Sequence, residues 1–129
     1  MCTCGAQGSI DAQVQAAFER AHVVFAGKVV EIRYKVAPLD PGDPKYPMMF
    51  HLAVMVPERQ WKGAVADTLV IWTPDNEGVC GVPFESGESY LVFARQRDST
   101  TLTTGLCDLT QPLSRAARHV RALGKLRRP

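Results

Sequence analysis

Two of the four cysteines stand at the very start of the chain, in Met1-Cys2-Thr3-Cys4-Gly5. The other two stand alone far downstream, in Val79-Cys80-Gly81 and Leu106-Cys107-Asp108. A chain terminus ordinarily frays. Crosslinks from Cys2 and Cys4 would instead fasten this one to two distant parts of the fold. Four cysteines admit three pairings. A Cys2–Cys4 bond closes a very small, strained ring, of a kind found in some thiol-exchange proteins. Each of the other two pairings sends both N-terminal cysteines to distant partners. Closing loops of that size contributes about 4 kcal/mol per bridge in the chain-entropy picture. Spacing alone does not choose among the three.

An even number of cysteines reads as a two-disulfide framework of an oxidising compartment. No signal-peptide pattern is read at the start of this sequence, and no apolar run approaches the ~20 residues of a membrane span. The expectation is a mature extracytoplasmic form, secreted or periplasmic, with Met1 an initiator in place of a removed leader. A structural zinc site is a rival use of the cysteines. Cys-x-Cys with two isolated cysteines lacks the paired C-x₂-C knuckles that such sites use.

The 129 residues suit a single domain spanning 1–129 with a core of its own. Apolar residues make up 46% and charged residues 22%, an ordinary globular balance. A net charge of +2 is too mild to indicate nucleic acid. The basic residues gather at the end, as Arg115, Arg118, Arg121, Lys125, Arg127 and Arg128, and read as a solvated helix face with a basic tail.

Ser9 caps a predicted helix over Ile10–Ala21, whose stripe is Ile10, Val14, Ala17, Phe18 and Ala21. A strand over Val23–Tyr34 follows, with Gly27 marking a bulge or bend. Residues 37–47 hold Pro38, Pro41, Pro44 and Pro47 and read as a stiff loop. A second strand should turn Phe50, Leu52, Val54 and Val56 inward and end near Trp61-Lys62-Gly63. The third is Thr68–Thr73, and Pro74–Gly78 is a turn. The fourth, Ser89–Arg97, sets Tyr90, Val92 and Ala94 on one face and Leu91 and Phe93 on the other. A short fifth lies at Leu102–Thr104. Thr110 or Gln111 opens a last helix, with Pro112 in its first turn. Leu113, Ala116, Ala117, Val120 and Leu123 are its buried stripe and Gly124 its stop. Long strands apolar on both faces, with a glycine bend, favour a mainly β fold. The expected architecture is a five-stranded OB-fold-like Greek-key barrel with an N-terminal and a C-terminal helix.

Catalytic signatures are missing. The chain has no G-x-S-x-G, no Gly-rich phosphate loop and no H-E-x-x-H. His22, His51 and His119 form no ligand pattern. The acidic residues scatter over turns and outer faces, so no carboxylate pair is arguable. The chain is expected not to be an enzyme and to need no cofactor. Trp61 and Trp72 read as core residues.

Several pieces together resemble one family. These are Cys2-Thr3-Cys4, Ala17-Phe18, Ala21-His22-Val23-Val24, Trp61-Lys62-Gly63, Val79-Cys80-Gly81-Val82, Tyr90-Leu91 and Leu106-Cys107-Asp108. In this order and approximate spacing they resemble the inhibitory N-terminal domain of the tissue inhibitors of metalloproteinases, a netrin-like module. The resemblance implies the pairing Cys2–Cys80 and Cys4–Cys107 and an OB barrel. It implies that the α-amino nitrogen and carbonyl oxygen of Cys2 chelate the catalytic zinc of a metalloprotease, displacing its water. Thr3 would enter the specificity pocket, and Glu77, Gly78, Val79 and Cys80 would lie beside it. A neutral amine is required, and an α-amino pKa of about 7.7–8.0 makes that accessible near neutral pH. It also requires loss of Met1, which otherwise covers the amine.

The implied partner is a zinc metalloprotease or another extracytoplasmic protein. Nucleic acid is not expected, nor a membrane except through a lipid anchor on Cys2, and the chain is expected to act as a monomer. Two other classes are a netrin-like binding module without zinc chelation and a thiol–disulfide exchange protein using Cys2-Thr3-Cys4.

Overall fold

The computed structural model describes residues 2–5, 8–64 and 66–126. Met1, Arg127 and Arg128, which carry weight in the sequence, lie outside the described residues.

Helix α1 (Ile10–Arg20) begins where Ser9 accepts a hydrogen bond from the Ala12 amide at 3.1 Å, and it buries Val14 and Ala17. Strand β1 (Val23–Asp40) pairs antiparallel with β2 (Asp43–Lys62) along its length. Its first six residues also pair with β4 (Ser89–Gln96). Strand β3 (Leu69–Pro74) pairs with β2 and, in parallel, with β5 (Leu102–Thr103), and β5 pairs with β4. The order β1-β2-β3-β5-β4 therefore returns to β1, giving a closed ring of five strands. The fold is mainly β, with a helix at each end of the chain.

The two-sided apolar strands explain how the core divides. Val23, Phe25, Val29, Tyr90, Val92 and Ala94 join Ala53, Met55 and Ile71 in one cluster. Val24, Ala26, Leu91 and Phe93 join Trp61 and the helix residues Val14, Ala17, Ala122 and Leu123 in the other. Adjacent residues of one strand point to opposite faces, so β1 and β4 serve both clusters at once. Gly27 sits at a register shift between β1 and β2, where an added Cβ would lie 2.9 Å from the Val56 carbonyl oxygen.

Four details differ from the sequence expectation. Residues 37–47 are not a loop. The strands continue through them, Pro38 faces Pro47, and only the tip at 41–42 turns. This stretch is a two-stranded ribbon beyond the reach of β3 and β4, so each strand has a free outer edge, where proline is admitted. In β2 the inward set is Ala53 and Met55, with Phe50 and Val54 also buried, while Val56 is 41% exposed. A register shift between Val29 and Glu31 changes the phase of the facing strand there. Gln111 and Pro112 form a sixth strand, β6, on β4 rather than the start of a helix. Strand β5 covers only Arg95 and Gln96, and β6 takes the same edge farther along. The last helix, α2, is Ala117–Leu126. It contains Gly124, leaves Ala117 exposed, and packs against α1.

Candidate functional site

Two irregular segments meet the N-terminus at one end of the ring. The first follows β3. Asn76 caps a one-turn helix at Glu77–Val79, its Oδ1 accepting from the Gly78 amide at 2.7 Å. The Cys80 and Gly81 amides then donate to Glu77 and Asn76 carbonyls, both at 3.0 Å. Cys80 adopts φ 68°, and a Cβ on Gly81 would overlap the Pro74 carbonyl oxygen. Only glycine allows the chain to fold back so tightly here.

The second segment follows β5. Asp108 accepts from the Gly105 amide at 2.9 Å and takes a two-pronged contact from Arg95 at 3.0 and 3.1 Å. The two segments are tied directly, because the Leu106 amide donates to the Cys80 carbonyl at 2.8 Å. Beneath them, buried threonines replace missing ladder bonds. Thr73 accepts from the Val82 amide at 2.9 Å. Thr110 accepts from the Phe93 amide at 3.0 Å, and Thr104 donates to the Phe93 carbonyl at 2.9 Å. The two hydroxyls lie 2.6 Å apart. Since the Thr104 proton is committed to Phe93, Thr110 donates to Thr104, and the chain of bonds closes on one residue.

Onto this base the structure bonds Cys2 to Cys80 and Cys4 to Cys107, with Cα separations of 5.1 and 5.2 Å. No cysteine among the described residues is free. Cys2, Cys80 and Cys107 are half-buried, whereas Thr3, Cys4 and Gly5 are exposed. Glu77, Gly78 and Val79 are exposed as well, Val79 to 40%. Thr3 and Val79 each stand one residue from a cysteine of the same bridge. The two segments named in the sequence as one site are thus joined covalently.

The sequence reading missed the supports. Buried His51 on β2 holds Asp75 through its Nδ1 at 3.0 Å, which fixes the start of the Asn76 turn. Arg97 donates to the Pro38 and Leu39 carbonyls at 2.5 and 3.0 Å and lies against the Phe50 and Trp72 rings. It fastens the tip of the β1–β2 ribbon beside a cavity of about 430 Å³ that also reaches Val79, Cys80 and Cys107. Neither contact has a local sequence signal. Trp61 and Trp72 are core residues, as expected. The histidines stand apart: His22 accepts from the Gln96 amide, His51 meets Asp75, and His119 lies on α2. Burial, reinforced by the neighbouring Arg118 charge, holds His119 below the usual histidine value of 6.5.

A family model for tissue inhibitor of metalloproteinase matches residues 1–122. The chain belongs to that family. No curated protein matches the chain. Members of the family are inhibitors rather than enzymes, and they are secreted proteins that bind metalloproteinases. Membership therefore implies metalloproteinase inhibition for this chain. Among the described residues, no helix is long and apolar enough to cross a membrane.

Proposed function

We propose that this chain, acting as one domain, inhibits a zinc metalloprotease through the edge formed by Cys2, Thr3 and Cys4 beside Glu77, Gly78, Val79 and Cys80. The α-amine and carbonyl oxygen of Cys2 take the zinc of the partner, which in a catalytic site keeps one position open. Thr3 then enters the specificity pocket, and the Glu77–Val79 turn lies against the protease surface. The observation that carries this reading is the double anchorage of the terminus. Two bridges hold Cys2 and Cys4 against segments that are themselves hydrogen-bonded to each other, while Thr3 and Val79 remain exposed. A ligand pair held in place beforehand loses little conformational freedom on binding.

The amine must be both free and neutral. Met1 blocks it until removed, and a lipid thioether on Cys2 would exclude the Cys2–Cys80 bond outright, since one sulfur cannot serve both. The test compares a protein beginning at Cys2 with one extended by a single alanine before Cys2, both titrated against a panel of zinc proteases. Stoichiometric inhibition by the first and at least a ~100-fold loss in the second is expected, since each tenfold step is about 1.4 kcal/mol. Equal inhibition by both would overturn the chelation mechanism, and no inhibition by the Cys2 form would leave a netrin-like protein-binding module as the reading.

A further inference from the structure

We propose that the four cysteines form a second, mutually exclusive site. When both disulfides are reduced, Cys2, Cys4, Cys80 and Cys107 bind one zinc ion as a tetrathiolate. This goes beyond protease inhibition and does not depend on it.

The geometry rests on contacts between the bridges, not within them. The Cys107 sulfur lies 3.8 Å from that of Cys80 and 3.9 Å from that of Cys2, although it is bonded to neither. All four sulfurs fall within 4.8 Å of one another. A tetrahedral zinc with Zn–S bonds of about 2.3 Å sets its sulfurs about 3.8 Å apart. Two of the six edges of such a site therefore already have the required length. The two bonded pairs must separate and the Cys4 sulfur must settle against those of Cys2 and Cys80, from within 4.8 Å, and Thr3 and Cys4 on an exposed terminal segment can supply that movement.

The other two ligands are held without the disulfides. The Asn76 cap, the Cys80 amide bond to Glu77, the Leu106 bond to the Cys80 carbonyl and the Arg95–Asp108 pair involve no sulfur atom, so the metal-loaded reduced chain can keep them. Half the site is thus built by the fold, and Cys-x-Cys closes over it. Cys4 is exposed, which gives the ion a path in. The sequence conceals this arrangement because the approach of Cys80 to Cys107 comes from topology rather than from a C-x₂-C knuckle.

The chemistry balances with a dithiol reductant. Each disulfide takes two electrons and two protons from one dithiol, which leaves as its own disulfide, so two dithiols yield four protein thiols. Metal binding then releases those four protons as the thiolates form. Exchange with two small-molecule disulfides, each leaving as two thiols, restores the bridges and expels the ion, so the cluster holds either disulfides or zinc.

The test uses the full chain reduced by a dithiol that is then removed under inert gas, with Co²⁺ as the spectroscopic probe and Zn²⁺ as competitor. The expected result is one Co²⁺ per chain, with the absorption of a tetrahedral tetrathiolate, release of four protons, and displacement by one Zn²⁺. The oxidised chain takes up none. Near-ultraviolet dichroism from Trp61 and Trp72 reports whether the metal-loaded chain is folded. A Cys80→Ser/Cys107→Ser variant should lose the tetrathiolate spectrum, and unfolding urea should weaken binding at least ~100-fold, because the fold supplies two ligands. Failure of the reduced chain to bind one equivalent, coordination by fewer than four thiolates, or affinity undiminished in urea would each overturn the proposal.

Discussion

Removing the bridges one at a time and together should reveal that they are coupled. Taken alone, Cys2–Cys80 closes a separation of 78 residues and Cys4–Cys107 one of 103. In the chain-entropy relation these loops are worth about 4.5 and about 4.7 kcal/mol, respectively. Once one bridge exists, the second closes a much smaller ring. The separation of 27 from Cys80 to Cys107 and the two-residue step from Cys2 to Cys4 make a ring of about 29, worth about 3.6 kcal/mol. Replacing either pair by alanine should therefore cost about 3.5 kcal/mol, nearly the same for both despite their different spans. Replacing both pairs should cost about 8 kcal/mol, roughly 1 kcal/mol more than the two single losses added. Equilibrium unfolding in urea measures each loss, with a stabilising osmolyte series for the doubly stripped chain. Single losses below about 1 kcal/mol, or a double loss smaller than the sum, would refute this reasoning, because the entropic coupling of shared-terminus bridges has a fixed sign.

Other outcomes follow from single contacts. Thr110→Val strips the Phe93 amide and the Thr104 hydroxyl of their partner in a buried place, and should lower stability by about 1–3 kcal/mol in the same urea assay; Thr110→Ser should recover most of it. Gly81→Ala forces the backbone away from Pro74 and should cost about 1–3 kcal/mol as overpacking, with inhibition weakened as the Val79 turn moves. Arg97→Lys loses the two-carbonyl grip on the ribbon tip, and should speed amide exchange across residues 38–47 while leaving α1 protected. His119 is held below its ordinary value, so the unfolded chain binds its proton first as pH falls. Its contribution is present above pH 6.5 and is lost as pH drops from there through the lowered folded value. A His119→Gln variant should flatten the stability profile in that window, as seen by urea midpoints against pH.

The parts of the fold that could be read beforehand are those whose signal is local. The Ser9 cap, the α1 stripe, the two faces of β4 and the Gly27 irregularity all follow from periodicity and from what one residue type permits. Where neighbours distant in sequence decide, the local pattern misleads. Prolines look like a loop until β1 and β2 are seen to run on as a free-edged ribbon. Pro112 suits a helix start until the short β5 leaves β4 an edge to fill. The site shows the same division. Cys2, Cys4, Cys80 and Cys107 are visible as residue types, and family resemblance paired them, but nothing in the spacing did. Thr73, Thr104 and Thr110 are ordinary threonines in sequence. Their role exists only because the ring leaves the Val82 and Phe93 amides without a strand partner.

The most direct test of the inhibitory edge is the metal itself. Zinc-edge X-ray absorption of a susceptible metalloprotease, before and after one equivalent of the chain beginning at Cys2, reports the ligands of the zinc. Chelation by Cys2 replaces the bound water with a nitrogen and oxygen pair from one residue, and the alanine-extended chain leaves the spectrum unchanged. An inhibited protease whose zinc shell is unaltered would contradict it.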